Sequence, residues 1–276
     1  KGLKGGHSGD DINKGLGNAN KILNRYLWTV NKEADLRISK IDGGNLRNAI
    51  PREASATVCV PWSEKERVRV LLNYYISDVE KEIGDTEPGF SMTLESEKLP
   101  ATVIDKKASD ALLNALYACP HGVKDMSRDM PGLVETSTNL ASIKMKEKGQ
   151  ILITTSQRSS VESSKYDIAN QVESVLLLAG ASVTHGDGYP GWKPNVKSEI
   201  LKIAEQSYSE LFNEKASVRA IHAGLECGLF LEKYPYLDMI SIGPQMYGVH
   251  SPDERLSISS TQKCWKWLVS ILEKSH

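Results

Sequence analysis

Three of the six histidines in the 276-residue chain sit where an imidazole could do chemistry. His250 lies in Gly243-Pro-Gln-Met-Tyr-Gly-Val-His-Ser-Pro-Asp-Glu-Arg255, a Gly/Pro loop after an apolar run. In parallel α/β sheets such loops hold ligands and catalysts, and a neutral imidazole there is a good zinc ligand. Asp253 and Glu254 could orient it, although a plain surface-loop histidine fits the same residues. His222 opens His222-Ala-Gly-Leu-Glu-Cys-Gly228, the pattern of a strand end entering a helix. The free N–H groups around Gly224 could take a carboxylate, and an ordinary turn explains the pattern too. His7 sits in Gly5-Gly-His-Ser-Gly9, where glycines allow close approach to a ligand and the imidazole could stabilise an oxyanion. A turn histidine is the blander alternative.

Two polar residues join them. Asn48, in Gly43-Gly-Asn-Leu-Arg-Asn-Ala-Ile-Pro51, interrupts a strand-like run and could bind substrate or close a turn. Arg158 stands at the end of a strand expected over 150–157 and could clamp a carboxylate by two parallel bonds, unless it is simply solvated. His121 and His185 fall in loops with no assigned role. The chain has no P-loop, no G-x-G-x-x-G after a strand, no G-x-S-x-G and no H-E-x-x-H. Nucleotide, serine-hydrolase and zincin chemistries are thereby disfavoured.

The elements that must position these residues follow from periodicity. Apolar residues recur helically over 14–28; 36–41 and 54–60 alternate as strands; Ser63 with Glu66 makes a capping box for a helix to about Ile83. A strand is expected over 90–94 and a helix over 106–117. Strands 134–145 and 150–155 form a hairpin through Lys146–Gly149. A helix capped by Ser163 or Ser164 runs to Ala179, and a short strand lies near Val183. This reads as two related α+β halves sharing one sheet. The turn formers of 186–194 mark a domain boundary, giving 1–187 and 188–276. Beyond it, helices at 198–212, 224–231 and 261–272 alternate with strands at 217–222 and 238–242, the order of a mostly parallel α/β layer.

Bulk composition narrows the class. The chain is 40% hydrophobic and 25% charged, with a net charge of -1. No basic field for nucleic acid is present and no apolar run is long enough to span a membrane. Four scattered cysteines form no C-x-x-C pair and suit buried thiols in a reducing, cytoplasmic setting. The sequence opens mid-pattern on KGLKGGHSGDD, which reads as a piece of a longer polypeptide.

Taken together, GLKGGHSGDDINKGLGNANK, GGNLRNAIPREA, VETSTNL, YPGWKPN, IHAGLECGLF and IGPQMYGVHSPDERL closely resemble the aminoacyl-histidine dipeptidases (Xaa-His dipeptidases, bacterial carnosinases). These sit in the di-zinc exopeptidase group with carboxypeptidase G and the succinyl-diaminopimelate desuccinylases. The resemblance covers essentially the whole chain. It implies a lid and dimerisation domain over 1–187, built as a two-layer α/β sandwich of ferredoxin-like halves. The C-terminal part of a zinc-exopeptidase α/β catalytic domain then follows over 188–276. It makes His250 a zinc ligand, His7 the lid histidine that polarises the scissile carbonyl, and Asn48 the lid asparagine. Asn45 replaces a family threonine. Arg158 becomes the carboxylate-binding arginine, Gly224 and its neighbours the turn beside that carboxylate, and Asn139 a candidate on the substrate side. The implied cofactor is a pair of zinc ions, replaceable by cobalt or manganese. The implied substrate is a dipeptide such as carnosine, and the implied assembly a homodimer. The family's H-x-D pair, bridging Asp, Glu-Glu pair and further acidic ligand belong upstream of Lys1, so this chain by itself is expected to be inactive. The alternatives are a non-catalytic dimerisation module and a broad-specificity dipeptidase.

Overall fold

The computed structural model describes residues 1–128, 130–186, 188, 190–192, 195, 197–219, 226–247 and 254–275. They fall into two compact units that divide between 187 and 188.

In the first unit the elements are β1 (Gly6–His7), α1 (Ala19–Glu33), β2 (Arg37–Gly43), β3 (Ala49–Ile50), β4 (Ala54–Cys59), α2 (Lys65–Ile83), α3 (Lys106–Ala118), β5 (Gly122–Met126), β6 (Val134–Met145), β7 (Ile151–Ser159) and α4 (Glu162–Leu178). The helices are amphipathic. Val68, Leu72, Tyr75 and Val79 line the buried stripe of α2, and Ile168, Val172 and Leu176 that of α4, at the three- and four-residue spacings that keep side chains on one face. These stripes meet Tyr26, Leu27 and Val30 of α1 and Leu113 and Leu116 of α3 in one core, closed by Ile38, Ile41, Leu140 and Ile143 from the sheet. The strand pairs 38/41 and 140/143 are three apart, an odd spacing that would put them on opposite faces of a regular strand. A register shift lies inside each pair, so one extra residue returns the second side chain to the core face.

β6 organises the antiparallel sheet. β7 runs along one edge of it over Thr136–Met145. The other edge is shared: β5 pairs with residues 134–138 and β2 with 143–144. Between those two short strands the Leu140 peptide is held by side chains. Its N–H donates to His121 Nδ1 at 3.4 Å, and its carbonyl accepts from Asn18 Nδ2 at 3.0 Å and Asn20 Nδ2 at 3.4 Å.

Several expectations change. α1 starts at Ala19 rather than residue 14, because Asn18 is its cap, accepting from Lys21 N at 3.1 Å. The Ser63/Glu66 box does not form: a 3-10 turn over Trp62–Glu64 precedes α2, and Glu64 at the cap position makes no side-chain capping bond. Val161, not Ser163 or Ser164, precedes α4. Residues 90–94 form no strand; this segment instead lies beside the N-terminus, where Lys1 N donates to Ser91 O at 2.8 Å and Ser91 N to Lys1 O at 2.9 Å. No strand forms at Val183, while β5 was unforeseen.

The second unit holds α5 (Glu199–Phe212), α6 (Glu226–Lys233), β8 (Met246–Tyr247), β9 (Arg255–Leu256) and α7 (Ile258–Lys274). Ser198 and Ser257 cap α5 and α7. The two helices pack through Trp267, whose Nε1 donates to Ala204 O at 2.8 Å and whose ring meets Tyr208. The parallel α/β layer expected here is not formed among the described residues. Residues 217–219 and 238–242 are irregular, 220–222 lie outside the described set, and β8 pairs with β9 antiparallel. An apolar run becomes a strand only where neighbours take up its N–H and C=O groups, and no described strand lies beside these runs. In this unit the buried apolar residues, among those described, are Ala204 and Ile271. The molecule is thus mixed α and β, with its described five-stranded sheet in the first unit.

Candidate functional site

His7 is fixed by pairing and by a tight turn. β1 pairs antiparallel with β3, His7 opposite Ala49. The chain then turns on Asp11: its N–H donates to His7 O at 2.9 Å, and its Oδ2 accepts from His7 N at 2.7 Å. Ser8 N donates to Asn48 O at 2.8 Å, tying this turn to the Asn48 loop. Ile12, Ile50, Val134 and Leu16 make a small apolar base beneath it. One buried carboxylate clamps both flanks: Glu87 accepts from Lys4 N at 2.7 Å and from Gly17 N at 2.9 Å.

β6 and β7 supply the floor. Asn139 and Ser137 alternate on one face of β6, and Arg158 of β7 lies opposite Ser137, so Asn139 and Arg158 share that face. Asn139 is buried; its Nδ2 donates to Ala49 O at 2.8 Å and Arg47 O at 3.4 Å, while its Oδ1 has no hydrogen-bond partner. Arg158 Nε donates to Ser8 Oγ at 3.3 Å. A Cβ at Gly9 would stand 3.0 Å from His7 Cε1 and 3.4 Å from Arg158 Nη1, so glycine leaves the room the imidazole and the guanidinium need. The structure therefore brings together His7, Asn48, Asn139 and Arg158. His222, Gly224 and His250 lie outside the described residues.

The electrostatics are those of an anion site. Burial pushes the Arg158 guanidinium down, Asp10 opposes that shift, and Arg47 adds to it; the group remains protonated under any ordinary condition. His7 Nδ1 lies 3.3 Å from Gly9 N and 3.4 Å from Asp10 Oδ2. When Gly9 N–H donates to Nδ1, the neutral ring carries its proton on Nε2 and presents a donor. An imidazole N–H beside a guanidinium suits a carboxylate and a polarised carbonyl oxygen. The same donor set does not suit a metal cation. Among the described residues no three His, Cys, Asp or Glu side chains are grouped to hold one. Asp11, the nearest spare carboxylate, is engaged by His7 N and by Lys14 Nζ at 2.5 Å.

Sequence reasoning missed Ser8, Asp10, Asp11, Glu87 and His121. Asp10 and Asp11 were visible as an acidic pair beside a Gly-flanked histidine. Glu87 and His121 carried no local signal, since their partners lie far away in the chain.

The family described as the peptidase dimerisation domain matches residues 1–87. The cytosol non-specific dipeptidase of Escherichia coli (strain K12) is 40% identical over 274 residues, which is 99% of this chain and 56% of that protein. The crystal structure of aminoacylhistidine dipeptidase from Vibrio alginolyticus superposes with a TM-score of 0.89 at 42% identity, again over 99% of this chain and 56% of that one. The chain is similar throughout to two bacterial dipeptidases. It spans about half the length of each. Among the described residues no helix is long and apolar enough to cross a membrane.

Proposed function

We propose that this chain is the substrate-gripping part of a cytoplasmic metallo-dipeptidase, with Xaa-His dipeptides such as carnosine as substrates. The observation that carries the reading is the convergence of His7 and Arg158 around the turn at residues 7–11. Arg158 binds the dipeptide's C-terminal carboxylate by paired, charge-assisted bonds. His7 donates from Nε2 to the scissile carbonyl oxygen as it gains charge. Asn139 holds the backbone at 47–49, and with it the Asn48 loop, at the correct height; Asn48 itself faces substrate. His222 and Gly224 contribute to the carboxylate end. In this reading residues 1–187 act as lid and dimerisation domain and 188–276 as part of the catalytic domain.

The described residues do not make a metal site. Zinc, replaceable by cobalt or manganese, would be held by His250 together with residues from the remaining length seen in the relatives. That centre, when loaded, supplies the activated water. The 276-residue chain alone is therefore expected to bind dipeptide without hydrolysing it. Titrating isotope-labelled chain with carnosine and following amide shifts tests this: perturbations confined to Ser8, Gly9, Asn48 and Arg158 support it. Unmoved resonances at those four positions, with carnosine in excess, would remove its basis.

A second role is compatible with the first. The match to a dimerisation domain over residues 1–87 includes β4, which ends the sheet order. Trp62, three residues after β4, and Tyr74 of α2 are 79% and 70% exposed. A homodimer built on this face is the assembly we propose.

A further inference from the structure

The turn that carries His7 holds two adjacent carboxylates with different surroundings. Asp11 is half-buried and holds the turn together, accepting from His7 N and from Lys14 Nζ. Asp10 is set differently. Its side chain is 59% exposed, and its Oδ2 lies 3.4 Å from His7 Nδ1. It also stands in the field of Arg158, whose Nη1 approaches the neighbouring Gly9 and whose Nε donates to Ser8. The two cationic or N–H-bearing groups of the site thus share one nearby carboxylate supplied by the chain itself.

We propose that Asp10 is an internal gate for the carboxylate subsite, its charge standing in for a ligand anion near Arg158 until a substrate carboxylate displaces it. The inference rests on the reading of Arg158 as the carboxylate-binding residue. The physical case has two parts. A half-buried guanidinium with no anion nearby loses part of its hydration uncompensated, so a local carboxylate steadies the empty site. An exposed ion pair is worth little, so its displacement costs the incoming ligand a small part of its affinity. Asp10 is then an affinity-setting residue: its carboxylate competes with a ligand carboxylate for Arg158, whereas a ligand without a carboxylate leaves it in place.

The experiment uses the whole 276-residue chain and two probes, carnosine and its C-terminal amide, which lacks the carboxylate. Affinities are read from the Ser8 and Gly9 amide shifts for wild type, Asp10→Asn, Asp10→Ala, Arg158→Lys and the double variant Asp10→Asn/Arg158→Lys. Both Asp10 variants should tighten carnosine by about three- to tenfold, the range set by losing one exposed ion pair. The amide probe should be unaffected. Asp10 lies on the surface, so neither change should disturb folding; the second variant controls for new bonds made by Asn. Unchanged or weaker carnosine binding in both Asp10 variants would overturn the gate. So would equal tightening of both probes. Arg158→Lys should weaken carnosine in either background. If it leaves carnosine affinity untouched, or carnosine binds no form of the chain, the reading beneath the gate fails with it.

Discussion

At the scale of single residues, His121 shows how a side chain with no chemical role can set the conditions under which a site exists. Its Nδ1 receives the Leu140 N–H and lies 3.3 Å from Asn18 Nδ2, which can donate to it, so it must be unprotonated. Burial first, and the nearby Lys21 ammonium second, depress its pKa from 6.5 to about 4. The unfolded chain therefore takes up a proton near pH 6.5, where the folded chain refuses it until about pH 4. Stability contributed by the neutral ring is intact above pH 6.5 and falls away as pH drops toward 4. Between pH 7 and 5 the loss should be about 2 kcal/mol. Urea midpoints of wild type and His121→Gln across that range check it; equal slopes in the two proteins would refute the assignment. The residue scale also shows what sequence could reveal. His7 and Arg158 were legible because their types and glycine or strand settings announce chemistry. Glu87 and His121 were not, since the meaning of each lies in partners 70 to 83 and 19 to 103 residues away.

At the scale of elements, the helices and long strands were legible and the short or unpartnered ones were not. The stripes of α2 and α4 and the hairpin of β6 with β7 follow from periodicity, which local sequence carries. Whether 90–94 or 238–242 becomes a strand depends on a neighbour, which local sequence does not carry; neither does. The loop after β2 gives the sharpest element-scale test. Gly44 has φ +66°, and a Cβ there would lie 1.9 Å from Ala141 O on β6. Gly149, in the 3-10 turn Glu147–Gly149 before β7, has φ +73° with nothing within 4 Å. Gly149→Ala should cost about 1 kcal/mol, the ordinary penalty for an L-residue in that region. Gly44→Ala adds a backbone clash and should cost about 3 kcal/mol or more, loosening the β2–β6 junction. Thermal melts of the two variants compare them directly; equal losses would show that the approach of the loop to β6 is not tight in solution.

At the scale of the whole molecule, the two units are unequally built. The first has a continuous core drawn from four helices and a sheet, whereas the second buries, among its described residues, two apolar side chains. The larger described core lies in the first unit, and so does the candidate site as far as it is described. The same unit ends its sheet order at β4 and exposes Trp62 and Tyr74, the residues we assign to self-association. Large exposed aromatics carry much of the energy of such contacts. Trp62→Glu should therefore weaken the dimer by about tenfold or more while leaving the fold intact. Sedimentation equilibrium with circular dichroism reads both, and a wild-type chain that stays monomeric at high concentration would dispose of the idea. None of this was legible as a surface in the sequence, where Trp62 reads only as one residue before a helix.

The shared edge of β6 carries a consequence for the order of events on the folding pathway. The Leu140 peptide closes on Asn18 and Asn20, 122 and 120 positions earlier, and on His121, 19 positions earlier. The contacts to Asn18 and Asn20 span long loops whose closure must precede any gain from them, and they belong late in the search. The β6–β7 hairpin can zip on its own, but the two short strands on its other edge have nothing to bridge them until the tip of α1 arrives. Docking of that tip is thus the step expected to come last, with Asn18, an unremarkable cap when viewed from its helix, as the latch that closes the junction.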